Sequence, residues 1–222
     1  MIIGAMFGTS GELDAYMAAS RIPEMIFLIV AGGALGSAFI PTFTSRLTRN
    51  GPAPAWRLAS AIVNLVLIVL TVLAALAAAG APLLVRTVVA PGFSPAQQAL
   101  TARLLRVMLL SSVIFGASGV VMGALNAHQH FLLPALAPSL YNVSIIAGAL
   151  LLGRRWGVMG LAVGVTAGAA LHLAVQIPGL VRHGARYLPV LDLASPDVRE
   201  VGRLMAPRVV GTAIAQLNFV VN

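Results

Sequence analysis

The 222 residues are 59% hydrophobic and 9% charged, and the net charge of +8 comes from fourteen Arg, no Lys and six acidic residues. A soluble domain carries roughly 25% charged residues to keep a polar surface, so this composition and a mean hydropathy of +0.96 exclude a water-soluble globule. A pI near 11.6 would point to nucleic acid in a soluble chain, but these Arg residues sit mostly between apolar runs, where they orient spans and meet anionic headgroups.

The expected class is an all-α, polytopic integral membrane helix bundle. No charged side chain interrupts Arg57 to Arg86, Arg106 to Arg154, or Arg155 to Arg182, and each gap accommodates a spanning helix of about 20 residues. The runs are continuously apolar, whereas barrel strands alternate over about 10 residues. Residues 1–8 read as the tail of a span. A polar loop follows, with Ser10 and Gly11 as turn or cap residues. The segment from Leu13 to Leu47 is roughly 50 Å long as a helix, too long for one straight crossing, and Pro23, Gly32, Gly33 and Pro41 offer places to bend. A third span runs from Trp56 to Val89. Ser94-Pro95 reads as the N-cap and first residue of a fourth, which ends near Asn126. A fifth covers Leu132 to Leu152 and a sixth Val158 to Val181. Ser195-Pro196-Asp197 caps a seventh helix. That makes about five complete spans and two partial ones, divided as a transmembrane lobe at 1–181, a basic loop at 182–197 and the start of a further helix at 198–222.

Loop charge orients the bundle. Arg46, Arg49 and Arg57 share one side with Arg182, Arg186, Arg199, Arg203 and Arg208, against Arg86, Arg154 and Arg155 on the other. The positive-inside tendency places the richer side in the cytoplasm.

Charged residues inside a membrane usually face a cavity or one another. Asp14, Arg21 and Glu24 fall near one face of the second segment, and Arg21 and Glu24, three residues apart, could pair or form an interfacial ion pair. Arg103 and Arg106 share a face of the fourth span, suited to a phosphate-bearing ligand or to snorkelling toward headgroups. Gly116, Gly119 and Gly123, then Gly160, Gly164 and Gly168, recur at the spacing that lets helix backbones approach. His172 and Gln176 are four residues apart and could bond to each other or line a polar interior. His128 and His130 lack a neighbouring carboxylate or Cys, so no metal site is expected. No phosphate-cradling loop or nucleophile elbow supports ATP hydrolysis or covalent catalysis, and no cofactor is expected.

Residues 7–47, FGTSGELDAYMAASRIPEMIFLIVAGGALGSAFIPTFTSRL, resemble the opening of the MurJ/MviN family, with its F-G, D-A-[FY], [IL]-P and G-A-[FL]-x-x-A-F-[IV]-P elements in order. A-P-G-F at 90–93, G-A-L-N at 123–126, P-A-x-A-P-x-x-x-N at 134–142 and Q-x-P at 176–178 extend the resemblance over essentially the whole chain. The resemblance implies one six-helix lobe of a two-lobe exporter, lacking most of its first helix, together with the start of helix seven. It implies translocation of lipid-linked peptidoglycan precursor across the bacterial inner membrane by alternating access. It further implies that Asp14 is a functionally important acid and Arg21 a basic position near the cavity. The partners would be the precursor, membrane lipids and a second lobe, with a coupling ion open. Phe27 and Leu28 stand where studied members carry a basic pair, and Gly32 where an acid often stands. These departures keep two alternatives in view: an exporter of another lipid-linked polysaccharide or small molecule, and a non-transporting membrane scaffold.

Overall fold

The computed structural model describes the backbone of residues 7–8, 10–31 and 34–221, and the side chains of these except at 27–35 and 213–221. The expectation for residues 1–6 lies outside the described residues, as do the side chains of Phe27, Leu28 and Gly32. Eight principal helices follow: α1 (Gly11–Ala31), α2 (Ala34–Asn50), α3 (Pro52–Ala79), α4 (Pro95–Ala127), α5 (Leu132–Ala147), α6 (Met159–Ala174), α7 (Ile177–Arg182) and α8 (Pro196–Val221). Within the long second segment the described residues form α1 and α2, and Gly32 and Gly33, two of the expected bending places, lie outside the described residues.

Local chemistry accounts for several boundaries. Ser10 opens α1, its Oγ accepting the Leu13 N–H at 3.4 Å, and Glu12 and Asp14 place negative charge in the first turn, where the helix dipole favours it. Ser94 caps α4 as expected: its Oγ accepts the Gln97 N–H while Gln97 Oε1 accepts the Ser94 N–H at 3.2 Å, with Pro95 at the first helical position. The third span differs from its expected single run. It stops at Gly80 and resumes as a short turn, Ala81–Leu84, followed by a wide π-turn at Val85–Val89. The fifth continues past α5 through a second π-turn, Gly148–Leu152, and a short turn, Gly153–Trp156.

Four stretches, Pro52–Ala79, Pro95–Ala127, Leu132–Trp156 and Met159–Arg182, are long and apolar enough to cross a membrane. The protein is a multi-pass helical membrane bundle. Its central element is α4, 67% of whose apolar window is buried, packed against α1, α2, α3 and α6. By contrast α3 leaves Ile68, Val69, Val72, Leu73 and Leu76 exposed, an apolar face suited to lipid.

Lipid is as apolar as a leucine side chain, so helices in a membrane associate by close packing more than by solvent exclusion. The glycines supply that closeness. A Cβ on Gly148 would stand 2.6 Å from the Gly160 carbonyl oxygen, and one on Gly164 would stand 3.0 Å from the Ser144 oxygen. The Gly160, Gly164 and Gly168 series therefore seats α6 directly on the α5 backbone. On α4, Gly116 and Gly123 instead make room for side chains, those of Leu70 of α3 and Phe39 of α2.

Loops that alternation of the spans assigns to the same side meet in space. Arg46 pairs with Asp197, and Arg57 with Asp192, at the Arg-rich end. Gln97 reaches the Gly11 carbonyl, and Glu12 lies beside Gly157, at the other. The segment after α7 is fastened along α3. Ser60 Oγ accepts the Leu188 N–H at 3.1 Å, and Asn64 Nδ2 donates to the carbonyls of Leu188 (3.0 Å) and Val190 (2.8 Å). Tyr187 donates its hydroxyl to Asn64 Oδ1 at 2.7 Å, and Arg57 donates to Asp192 at 2.7 Å. Arg57, Ser60 and Asn64 fall on one helical face, so α3 presents a rail to which residues 186–192 are laced. Val198 and Val201 of α8 are then buried in the cluster that holds Phe39, Phe43 and Trp56.

Candidate translocation site

Helix α1 carries the unusual charge. Asp14, Met17, Arg21 and Glu24 are all exposed while Ala15, Tyr16, Ala18, Ala19 and Ser20 are buried, so the helix has one charged stripe and one packed face. The packed face meets α4: Gln97 Nε2 donates to the Gly11 carbonyl, and Ser112 Oγ to that of Pro23 at 3.4 Å. The stripe therefore points away from the centre of the bundle. Among the described residues, the side chains of Asp14, Arg21 and Glu24 form no ion pair. The Arg21–Glu24 pairing open to the sequence is absent: the ion pairs among described residues are Arg46–Asp197 and Arg57–Asp192.

Behind the stripe, a cavity of about 380 Å³ opens between α1, α4, α5 and α6. Tyr16, Ser20, Glu24, Ser111, Tyr141 and His172 supply its polar groups in an otherwise apolar wall. Glu24 belongs to both features, since it lies on the exposed stripe and also lines the cavity. The ring of Phe115 stands 5.0 Å from that of Tyr141 and 5.2 Å from that of His172, both edge-on, which ties α4 to α5 and α6 across the cavity floor.

A buried polar triad closes the deep end. Gln176 Nε2 donates to the His172 carbonyl and to Ser118 Oγ, both at 2.8 Å. Only the amino end of the Gln176 amide can face a carbonyl, so Ser118 Oγ accepts a hydrogen there, and the same hydroxyl is hydrogen-bonded to His172 Nδ1 at 2.7 Å. The i, i+4 relation of His172 and Gln176 was legible in the sequence, but Ser118, from another helix, was not. Replacing Ser118 with Ala removes the hydroxyl that both Gln176 Nε2 and His172 Nδ1 meet, leaving the longer 3.3 Å contact between those two atoms, and is expected to cost about 1–2 kcal/mol, readable as a lower thermal midpoint of the detergent-solubilised protein.

Arg103 and Arg106 are also exposed. Gln97 and Ser112 mark the side of α4 that faces α1, and at 3.6 residues per turn the two Arg lie about half a turn away from it. Arg106 Nε donates to the Ala78 carbonyl at 3.0 Å, near the end of α3. The structure does not bring this pair together with the α1 stripe. Asp14, Arg21 and Glu24 form one surface, and Arg103 and Arg106 another.

Comparison with known proteins places this geometry. A family model described as "Lipid II flippase MurJ" matches residues 3–222. The chain belongs to the MurJ family. It is 32% identical over 229 residues to the lipid II flippase MurJ of Burkholderia cenocepacia, covering 100% of this chain and 44% of the relative. It is 30% identical over 236 residues to a probable lipid II flippase MurJ of Synechocystis, covering 100% of this chain and 43% of that protein. A solved structure of a lipid II flippase MurJ, in an inward closed conformation, superposes with a TM-score of 0.81 at 24% identity, covering 99% of this chain and 45% of that one. This likeness shows that the helix bundle is the family's fold. The chain spans less than half the length of the curated relatives it matches.

Proposed function

We propose that this chain forms the first of two lobes of a lipid II flippase in the bacterial inner membrane, the second lobe corresponding to the rest of its relatives' length. On this reading residues 182–197 join the lobes on the cytoplasmic side, and α8 begins the second one. The protein moves its substrate without altering a covalent bond, so it is a transporter and not an enzyme. The observation that carries the reading is the stripe of Asp14, Arg21 and Glu24, exposed and, among the described residues, without an ion pair on a helix whose other face is packed. Charges in a membrane segment are expensive to leave unpartnered in lipid, so this stripe calls for a hydrated, facing surface. A cleft between two lobes supplies one. There a pyrophosphate and its sugars can cross while the polyprenyl tail stays in lipid, with Arg21 contacting phosphate and Asp14 holding a cation of the facing lobe or gating the mouth.

The test is translocation of labelled lipid II by the full-length protein in vesicles. Wild type is expected to translocate it, and Asp14→Ala to lose most of that rate. Full activity of the variant would remove Asp14 from the mechanism. The replacement of a basic pair by Phe27 and Leu28 favours one competing reading, an exporter of another lipid-linked saccharide. Faster movement of such a lipid than of lipid II in the same vesicles would establish it.

A further inference from the structure

We propose that His128, His130 and His183 form a proton-operated latch that fastens the segment after α7 to the Arg-rich end of the lobe. The three residues come from separate places: the C-cap of α4, the turn between α4 and α5, and the C-cap of α7. The rings of His128 and His183 lie nearly parallel, 4.4 Å apart at 16°. His130 meets His183 edge-on at 5.6 Å. On its other side His128 stacks on Trp56 of α3 at 5.5 Å and 21°, and Phe43 of α2 packs against both rings. The stack therefore runs from the body of the lobe, through Trp56 and His128, to the residue from which the 186–192 segment departs. Gly184, at φ +68°, turns the chain immediately after it.

This stack holds together only while its imidazoles are neutral. The His128 and His130 Nε2 atoms are buried and, among the described residues, have no hydrogen-bond partner. Protonation places an N–H on both nitrogens of each ring, and at these two atoms the added charge would find no acceptor. Two imidazolium rings at 4.4 Å would also repel. The groups facing the stack do not relieve this. Phe43 from α2 and Trp56 from α3 are uncharged, α7 contributes His183 with Arg182 beside it, and no carboxylate forms an ion pair with any of the three histidines among the described residues. Burial, and then His183, hold His128 below the ordinary histidine value. Its contribution to stability is therefore complete above the usual histidine range and is lost as pH falls through the lowered value. The far end of the segment responds differently: the hydrogen bond from Arg57 holds Asp192 below the usual carboxylate range, so that anchor stays charged where His128 titrates. Mild acid opens the near end while the far end remains tied.

The consequence for transport rests on the two-lobe reading, because only there does this segment join two moving bodies. The latch itself is tested without transport, by hydrogen–deuterium exchange of the full-length protein. Amides of Arg186 to Asp192, corrected for intrinsic exchange with an unstructured peptide, are expected to lose roughly tenfold in protection between about pH 7.5 and about pH 5.5. His128→Phe and His183→Phe each keep a stacking ring and remove a proton site, and each is expected to flatten that response. A wild-type profile that is flat over this interval would overturn the latch, and so would an undiminished response in both variants.

Discussion

Arg21→Glu is expected to reduce lipid II translocation by roughly ten- to hundredfold in the full-length protein, while the thermal midpoint of the purified protein stays near that of wild type. The two halves of this expectation have separate physical grounds. Arg21 is exposed and pairs with neither Glu24 nor Asp14 among the described residues, so no packed contact is lost on substitution. If its guanidinium meets phosphate during transport, a charge-assisted hydrogen bond worth about 1.5–3 kcal/mol disappears, and that energy corresponds to the stated loss in rate. Reversal to Glu also adds repulsion, which distinguishes a direct electrostatic role from simple truncation. Arg21→Lys is expected to retain most of the activity if charge alone matters, and less if the planar fork of Arg is used. Wild-type translocation by Arg21→Glu would show that the stripe does not contact the anionic part of the substrate.

The largest structural effect is expected at Gly148. A methyl group there would lie 2.6 Å from the Gly160 carbonyl oxygen and 2.8 Å from Gly164 Cα. Both obstacles are backbone, so no side chain can rotate out of the way. Gly148→Ala must push α5 and α6 apart, at the upper end of the overpacking range, about 3 kcal/mol. Loss of the folded species in detergent gel filtration, or a large fall in thermal midpoint, is the expected reading. Gly202→Ala in α8 is the matched control, since nothing lies within 4 Å of the position its Cβ would take. It is expected to leave stability unchanged or slightly improved, because Ala favours helix over Gly. Equal effects of the two substitutions would mean that helix propensity, and not the α5–α6 contact, governs the first.

Features set by local physics were readable from the amino-acid order. Continuous apolar runs of spanning length have no stable solution in water, which determined the helical membrane bundle before any contact was known. Ser94 and Pro95 are neighbours in the chain, so the cap of α4 could be placed from their order. Alternation of the spans predicted which loops lie at the same end, and the pairings of Arg46 with Asp197 and Arg57 with Asp192 agree with it. The Gly160, Gly164 and Gly168 spacing announced a close helix contact without naming its partner. Ordered motifs around Asp14 and Arg21 were enough to suggest the family.

Tertiary structure decided whatever depended on which helix faces which. Arg103 and Arg106 share a face with each other but lie about half a turn from the side of α4 that meets α1, a rotation that spacing along one helix does not define. Ser118 completes the His172 and Gln176 triad from another helix, and His183 completes the histidine stack from beyond the sixth span. The lacing of residues 186–192 to Arg57, Ser60 and Asn64 was equally hidden, since an irregular segment has no periodicity to betray the helix on which it lies. The charged stripe of α1 belongs to both levels. Its periodicity placed Asp14, Arg21 and Glu24 near one face, and packing against α4 then turned that face outward, because the small and apolar side chains opposite were the ones able to fit there.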